Sequence, residues 1–121
     1  MLKIMDKQPT IRERVAIIQN EVAKGTIFAS KAAEYLNELS AIYGNCIDEI
    51  QRRELAYNVV LLAFLDEEKK ANRAKIRAEI SPEYQSLKEA TNTEKLITAL
   101  IRSLNRFIDQ KKEEMRVSKY Q

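Results

Sequence analysis

The stretch Ile80-Ser81-Pro82-Glu83 decides how this chain folds, because it divides two long segments whose residues favour helix. Ser81 can cap a helix, Pro82 suits the first helical position, and Glu83 complements the helix dipole. Pro82 also keeps Ser81 out of the α region, so the preceding helix must end there. We therefore predict a helix end and a helix start at this point, joined either by a sharp reversal or as a kinked continuous rod.

The two segments beside this junction predict an elongated shape. Each is about 35 residues long, which as helix spans roughly 50 Å at ~1.5 Å per residue. A compact globule of this size would be only about 35 Å across, from a radius of gyration near 14 Å. The predicted fold is all-α, with two short N-terminal helices and a long antiparallel helical hairpin that resembles a coiled coil. Such a hairpin leaves apolar surface uncovered, so we expect a homo-oligomer or another partner.

Turn and capping residues divide the chain, which we predict to be a single helical domain over residues 1–121. Thr10 and Glu13 form a capping box for the first helix, and Gly25 ends it. Gly44-Asn45 is predicted to close the second helix and start the third. The predicted segments are a flexible arm at 1–8, two short helices at 9–44, long helices at 45–80 and 81–117, and a frayed tail at 118–121.

The centre of the third predicted helix, from Val59 to Leu65, is apolar on every side. A helix of this kind must be covered from more than one direction. The neighbouring helices provide one cover, and a second subunit is the alternative. The residues predicted to form the core or the subunit interface are Val59, Leu62, Leu65, Ile97, Ile101, Leu104 and Ile108.

Composition limits the class of protein. Charged residues make up 32% of the chain and apolar residues 45%, with two glycines and two prolines, which is typical of long helices. The net charge of +3 permits a polyanionic partner without requiring one. The single cysteine, Cys46, cannot form an internal disulfide, so we expect a core thiol in a reducing compartment. The apolar runs fit neither a signal peptide nor a bilayer span, which predicts a cytoplasmic protein with no membrane partner.

Signatures of catalysis are scarce in this sequence. The absence of histidine excludes histidine-based triads and histidine metal sites. Glu34 and Glu38 are a carboxylate pair at helical i,i+4 spacing, which could hold a hard cation or form half of an acid/base site. An ordinary solvated helix face is the other interpretation of this pair. We predict a protein that is not an enzyme and has no catalytic residues, metal or cofactor.

Basic residues of the last helix are the best candidates for binding. Lysine and arginine on a rigid helix can follow a phosphate backbone without reading its sequence. The residues predicted to bind nucleic acid are Lys88, Lys95, Arg102, Arg106, Lys112 and Arg116. The first four of these fall within about 40° of one another on a helical wheel, opposite the apolar stripe. Asp109 and Glu113 lie near the same line and partly neutralise its far end.

Three segments have the same order and a similar pattern of apolar and charged residues as a known group of proteins. They are Ala32 to Leu39, the apolar-to-charged stretch Leu55 to Arg77, and Arg102-Ser103-Leu104-Asn105-Arg106 followed by Met115-Arg116. In these features, over roughly residues 28–117, the chain resembles small helical phage recombination mediators of the UvsY-like group. The resemblance implies a non-enzymatic oligomer that binds single-stranded DNA and helps a recombinase displace single-strand-binding protein. Single-stranded DNA and a recombinase or single-strand-binding protein are therefore the expected partners.

The leading prediction is a self-assembling helical protein that binds single-stranded nucleic acid as a phage-type recombination or replication accessory factor. The alternative is a structural or adaptor protein, such as a phage accessory, inhibitor or scaffold component, which acts through contacts between helices. Reversing the charges of Lys95 and Arg102 separates the two hypotheses, because only the first one requires those charges.

Overall fold

The structure is a computed structural model that describes residues 8–118 with their side chains, and the backbone of residue 119. Within this range the chain forms helices and no strand. The helices are α1 (Ile11–Ala23), α2 (Ala29–Glu67), α3 (Ala71–Glu79) and α4 (Pro82–Lys119). The predicted all-α class is therefore confirmed.

Local signals at the start of the chain act as predicted. The backbone N–H of Glu13 donates to the Thr10 hydroxyl at 3.1 Å, and the backbone N–H of Thr10 donates to the Glu13 carboxylate at 2.9 Å. This reciprocal capping box starts α1. Gly25 follows the helix with φ of 69°, the left-handed conformation that glycine adopts without a steric penalty.

The predicted boundary at Gly44-Asn45 is wrong, because α2 continues through both residues. A glycine within a helix costs roughly 0.5–1 kcal/mol relative to alanine. That cost is too small to end a helix that buries Leu39 before the glycine and Cys46 after it. Tertiary burial therefore overrides the local signal.

The predicted long helix at 45–80 is also interrupted. The first part, α2, ends at Glu67, and Lys70 then adopts an extended conformation with φ of −111° and ψ of 124° before α3 begins. At the other end of α3, the N–H of Tyr84 donates to the Ser81 hydroxyl at 3.2 Å, which caps α4. The Ser81-Pro82 helix boundary is confirmed, but it joins the short α3 to α4.

Both ends of the chain extend beyond the described residues. The predicted arm at 1–8 lies outside them except for Gln8, which is exposed and irregular. The predicted tail at 118–121 begins inside α4, since that helix reaches Lys119. Its last two residues lie outside the described range.

The chain divides into two compact units, of which the first comprises Met1–Ile42 and Leu96–Gln121. Its described part contains α1, the beginning of α2 and the end of α4. The Arg14 guanidinium on α1 donates to both carboxylate oxygens of Glu38 on α2, with 2.7 Å between Nη2 and Oε1. All three helices contribute buried apolar side chains: Val15, Ile18, Ala32, Tyr35, Leu39, Ile97, Leu100 and Leu104.

The second unit, Tyr43–Lys95, contains the rest of α2, all of α3 and the beginning of α4. Contacts between α2 and α4 here run in opposite order along the two helices, so these segments are antiparallel. The contacting pairs are Tyr43 with Glu94, Cys46 with Ala90, Arg53 with Ser86, and Tyr57 with Tyr84. The buried side chains described in this unit are mostly small: Cys46, Ala74, Ala78, Ser81, Ala90 and Thr93.

The residues predicted for the core or the subunit interface differ in burial. Ile97 and Leu104 are fully buried, and Ile101 and Ile108 are half-buried. By contrast, the exposed fractions of Val59, Leu62 and Leu65 are 61%, 62% and 38%. The described helices therefore leave these three side chains exposed, and their predicted place in a subunit interface stays a prediction. Within the second unit, α4 contacts the other side of α2.

Candidate nucleic-acid interface

Helix α4 carries all the residues predicted to bind nucleic acid. Ser81 caps this helix, Pro82 is its first residue, and Glu83 lies in its first turn. The six basic side chains are all exposed: Lys88, Lys95, Arg102, Arg106, Lys112 and Arg116. The first two belong to the second unit and the other four to the first.

The cations of α4 differ in whether a carboxylate neutralises them. Within the described residues, Lys88, Lys95, Arg102, Arg106 and Lys112 form no ion pair. Arg116 differs, because its Nη2 lies 2.6 Å from the Glu113 carboxylate. No described carboxylate neutralises these five charges.

The spacing of these cations suits a repeating anion. Lys88 and Lys95 are two helical turns apart, a rise of about 10 Å, and Arg102 and Arg106 are one turn apart, a rise of about 6 Å. Residues at such spacings lie on one side of a helix. Asp109 is exposed and lies near the side of Arg102 and Arg106, so the positive charge weakens toward the end of α4. The net positive charge on this side of α4 is therefore concentrated before Asp109.

A second group of cations, at the start of α3, was not predicted from the sequence. All four side chains are exposed, and none forms an ion pair within the described part of the chain: Lys69, Lys70, Arg73 and Lys75. Helix α2 ends at Glu67, so Asp66 and Lys70 do not share a helix, and they form no ion pair within the described residues. The density of basic residues between positions 69 and 75 was the available signal. A continuous helix over 45–80 would have spread these cations around its surface, whereas the break after Glu67 changes their arrangement.

Arg77 on α3 has internal partners. Its Nη1 lies 3.1 Å from a carboxylate oxygen of Glu67 and 3.0 Å from one of Glu68. Its guanidinium also lies over the Phe64 ring. The hydrogen bond to Glu68 is the main cause that raises the pKa of Arg77 above its ordinary value. This cation therefore holds α3 against the end of α2 and is not available to a phosphate.

An open groove of about 520 Å³ lies beside this arginine in the second unit. Its walls are mainly apolar, from Val60, Ala63, Phe64, Ile80 and Pro82. Because the arginine that lines it is already ion-paired, the groove does not present a free cation to an anionic ligand. The exposed cations of the described residues lie elsewhere, on α4 and at the start of α3.

The carboxylate pair on α2 is engaged with cations. Glu38 accepts hydrogen bonds from Arg14, and this interaction lowers the pKa of the Glu38 carboxyl. Glu34 lies 3.2 Å from Lys31. Across residues 8–119 there is no group of three or more histidine, cysteine or acidic side chains that could hold a metal ion. The arrangement gives the acid/base and cation-binding interpretations no support.

Cys46 is a buried thiol, as expected for a core residue. Its Sγ lies 3.7 Å from the carbonyl oxygen of Ala90, and the side chain is 2% exposed. Burial is the main cause that raises the pKa of the thiol. A neutral and inaccessible thiol is a poor nucleophile, so Cys46 contributes packing between α2 and α4.

Comparisons with known proteins assign no family to this chain. No protein-family model, curated protein or solved structure matched it. The resemblance to the UvsY-like group therefore stays a prediction. In the part of the chain that the structure describes, no helix combines the length and the apolar character that crossing a bilayer requires.

Proposed function

We propose that this chain is a non-enzymatic, self-assembling helical protein that binds single-stranded nucleic acid. The observation that carries this proposal is the set of exposed cations on α4 that form no ion pair within the described residues. Binding to a phosphate releases the counterions that surround it, and this release drives association without sequence recognition. A lysine or arginine already held by a carboxylate would first have to give up that partner.

Contacts of this kind position a nucleic-acid backbone but do not read bases. Binding is therefore expected to depend weakly on base sequence. The preference for a single strand follows from the resemblance to the UvsY-like mediators, as does a cytoplasmic role in phage-type recombination or replication. A recombinase or single-strand-binding protein is the further partner that this role requires.

Self-assembly strengthens the proposed binding, because one copy carries a net charge of only +3. An oligomer repeats the same cations along one nucleic-acid strand. Linking several weak sites raises the effective concentration of each for the strand already bound. Affinity is therefore expected to increase with the length of the oligonucleotide beyond what one copy can contact.

A titration of fluorescently labelled oligothymidine tests this proposal through its salt dependence. With about five phosphate contacts, the slope for single strands predicts a roughly 100-fold loss of affinity between about 50 mM and 200 mM salt. Anisotropy measured at several salt concentrations gives this slope directly. An affinity that does not change with salt would contradict phosphate binding.

An adaptor protein that acts through contacts between helices is the second candidate. The specific observation in its favour is the exposure of Leu55, Val59 and Leu62 on one side of α2. Exposed aliphatic side chains in a row mark a surface that another protein can cover. For such an adaptor, the double substitution Lys95→Glu with Arg102→Glu leaves binding to the partner protein intact. Serine in place of Leu55, Val59 and Leu62 abolishes that binding.

A further inference from the structure

One side of α2 in the second unit carries the residue spacing of a coiled-coil seam. Successive members are separated by four, three, four, three and four residues: Asp48, Arg52, Leu55, Val59, Leu62 and Asp66. This alternation is the a/d pattern by which two helices pack along their length. The seam ends with the helix, because α2 stops at Glu67.

The described residues of the chain leave this seam uncovered. The exposed fractions of Leu55, Val59 and Leu62 are 66%, 61% and 62%. The residues of α2 that contact α4 in this unit, such as Arg53 and Tyr57, lie on the other side of the helix. Three aliphatic side chains thus form an apolar row with charged residues at both ends.

We propose that α2 of one copy packs antiparallel against α2 of a second copy along this seam, with Val59 next to the two-fold axis. This inference rests on the self-assembly proposed above and assigns it a surface and an orientation. A two-fold interface is self-complementary: if a residue of the first copy contacts a given residue of the second, the same two positions also contact each other with the copies exchanged. The occupant of the seam is therefore the same seam on another copy.

Charge complementarity determines the orientation. A parallel pair places Arg52 opposite Arg52 and Asp66 opposite Asp66, which is unfavourable at both ends. An antiparallel pair places Arg52 of one copy at the Asp66 end of the other. Because Val59 lies midway between positions 52 and 66, one register satisfies both ends at once.

The two charged residues are accessible for this exchange. The side chain of Arg52 is 69% exposed and bonds Glu49 on the same helix at 2.6 Å. A guanidinium presents five N–H donors, so Arg52 can retain this bond and also donate to a partner carboxylate. Asp66 is exposed and forms no ion pair within the described residues.

Light scattering on a set of charge variants tests this interface. Arg52→Asp and Asp66→Arg each create like-charge contacts in the antiparallel pair, so each should raise the dissociation constant by about tenfold or more. The double variant Arg52→Asp with Asp66→Arg restores opposite charges and should recover the mass of the wild-type assembly. Failure of the double variant to recover this mass would overturn the antiparallel arrangement.

A second pair of variants tests the apolar centre. Val59→Asp places two carboxylates at the axis and should produce monomers, with the helical circular-dichroism signal retained because the position is exposed. Phe28→Asp is the matched control, since Phe28 is 79% exposed and lies off the seam. It should leave the mass unchanged.

The outcomes separate this inference from the proposed function. A wild-type assembly whose mass survives Val59→Asp overturns the α2 seam and leaves self-assembly intact. A wild-type chain that remains monomeric at every concentration overturns both the seam and self-assembly, while the oligothymidine titration still tests nucleic-acid binding.

Disulfide cross-linking tests the orientation of the two helices. A cross-link between an Arg52→Cys chain and an Asp66→Cys chain, both carrying Cys46→Ala, supports the antiparallel pair. Cross-links that join only identical variants contradict it.

Discussion

The guanidinium carbon of Arg77 on α3 lies 4.3 Å from the centre of the Phe64 ring on α2. The same guanidinium bonds the carboxylates of Glu67 and Glu68 at the end of α2. Helix α3 has nine residues and buries Ala74 and Ala78. Arg77 therefore adds polar contacts between α3 and α2 to the burial of these two alanines.

Replacing Arg77 should therefore destabilise the second unit. Arg77→Ala should lower the midpoint of urea unfolding, because it removes the cation–π contact with Phe64 and the ion pairs with Glu67 and Glu68. Arg77→Lys should show a smaller loss, since it retains the charge but not the planar group. Arg73→Ala is the control and should be nearly neutral, because Arg73 is exposed and has no ion pair within the described residues. Equal losses for Arg77→Ala and Arg73→Ala would contradict the assigned contact.

The two glycines should respond in opposite directions to alanine. A Cβ at either position meets no atom within 4 Å, so space is equally available. Gly44 lies inside α2, where alanine is favoured by about 0.5–1 kcal/mol. Gly25 has φ of 69°, a conformation that costs an L residue roughly 1–2 kcal/mol. Thermal unfolding should show Gly44→Ala more stable and Gly25→Ala less stable than the wild type.

This comparison also tests whether α2 is continuous. If α2 ended at Gly44 in a left-handed conformation, Gly44→Ala would destabilise the protein as Gly25→Ala does. A loss of stability in both variants would therefore contradict the single helix Ala29–Glu67.

The Arg14–Glu38 pair should give the first unit a defined dependence on pH. The hydrogen bond from Arg14 lowers the pKa of Glu38, so its stabilisation is present above the unfolded-state pKa of about 4.3. This stabilisation is lost as the pH falls through the lower folded-state pKa of Glu38. The difference in unfolding free energy between wild type and Glu38→Gln should be about 1 kcal/mol or less near pH 7 and should shrink below pH ~4.

A matched substitution checks the origin of that dependence. Glu34 lies one turn before Glu38, is 69% exposed and pairs with the exposed Lys31. Glu34→Gln should change the free energy of unfolding very little at any pH, because solvent screens such pairs. If Glu34→Gln reproduced the effect of Glu38→Gln, the dependence would arise from net charge and not from the pair with Arg14.

Strong local signals made part of this fold predictable. The Thr10–Glu13 capping box, the left-handed Gly25 and the Ser81-Pro82 helix start each require particular residue types, and each occurs as predicted. The all-α class follows from the same sequence, since helical spacing of apolar residues continues over most of the chain.

Tertiary contacts determined the features that were not predictable. Gly44 is a residue type that often ends helices, but the cost of a helical glycine is small compared with the burial of Leu39 and Cys46 on α2. Conversely, Glu68-Lys69-Lys70 contains neither proline nor glycine, yet the helix stops there. Lys70 makes no side-chain capping bond, so the break is favoured by the packing of α3 and not by its own residues.

The exposure of the candidate binding residues on α4 was predictable from the sequence. Which exposed cations lack an ion pair within the described residues was not. The wheel position of Lys95 and Arg102 is sufficient to place them on the outer face of α4, where the structure has them. The wheel does not show which cations find carboxylates, because that depends on rotamers and neighbours, as for Arg116 with Glu113. The cations of positions 69–75 were overlooked because the helix break beside them has no local signal.

Charge reversal on α4, measured by anisotropy with labelled oligothymidine at low salt, tests the central claim most directly. Lys95→Glu with Arg102→Glu should weaken binding by at least about 100-fold, since two phosphate contacts are lost and two repulsive charges are added. Lys24→Glu with Lys31→Glu changes the net charge equally but removes lysines already paired with Glu21 and Glu34. This control should bind within a few-fold of the wild type. Equal weakening by the two double variants, or no binding by the wild type at micromolar concentration, would contradict a nucleic-acid interface on α4.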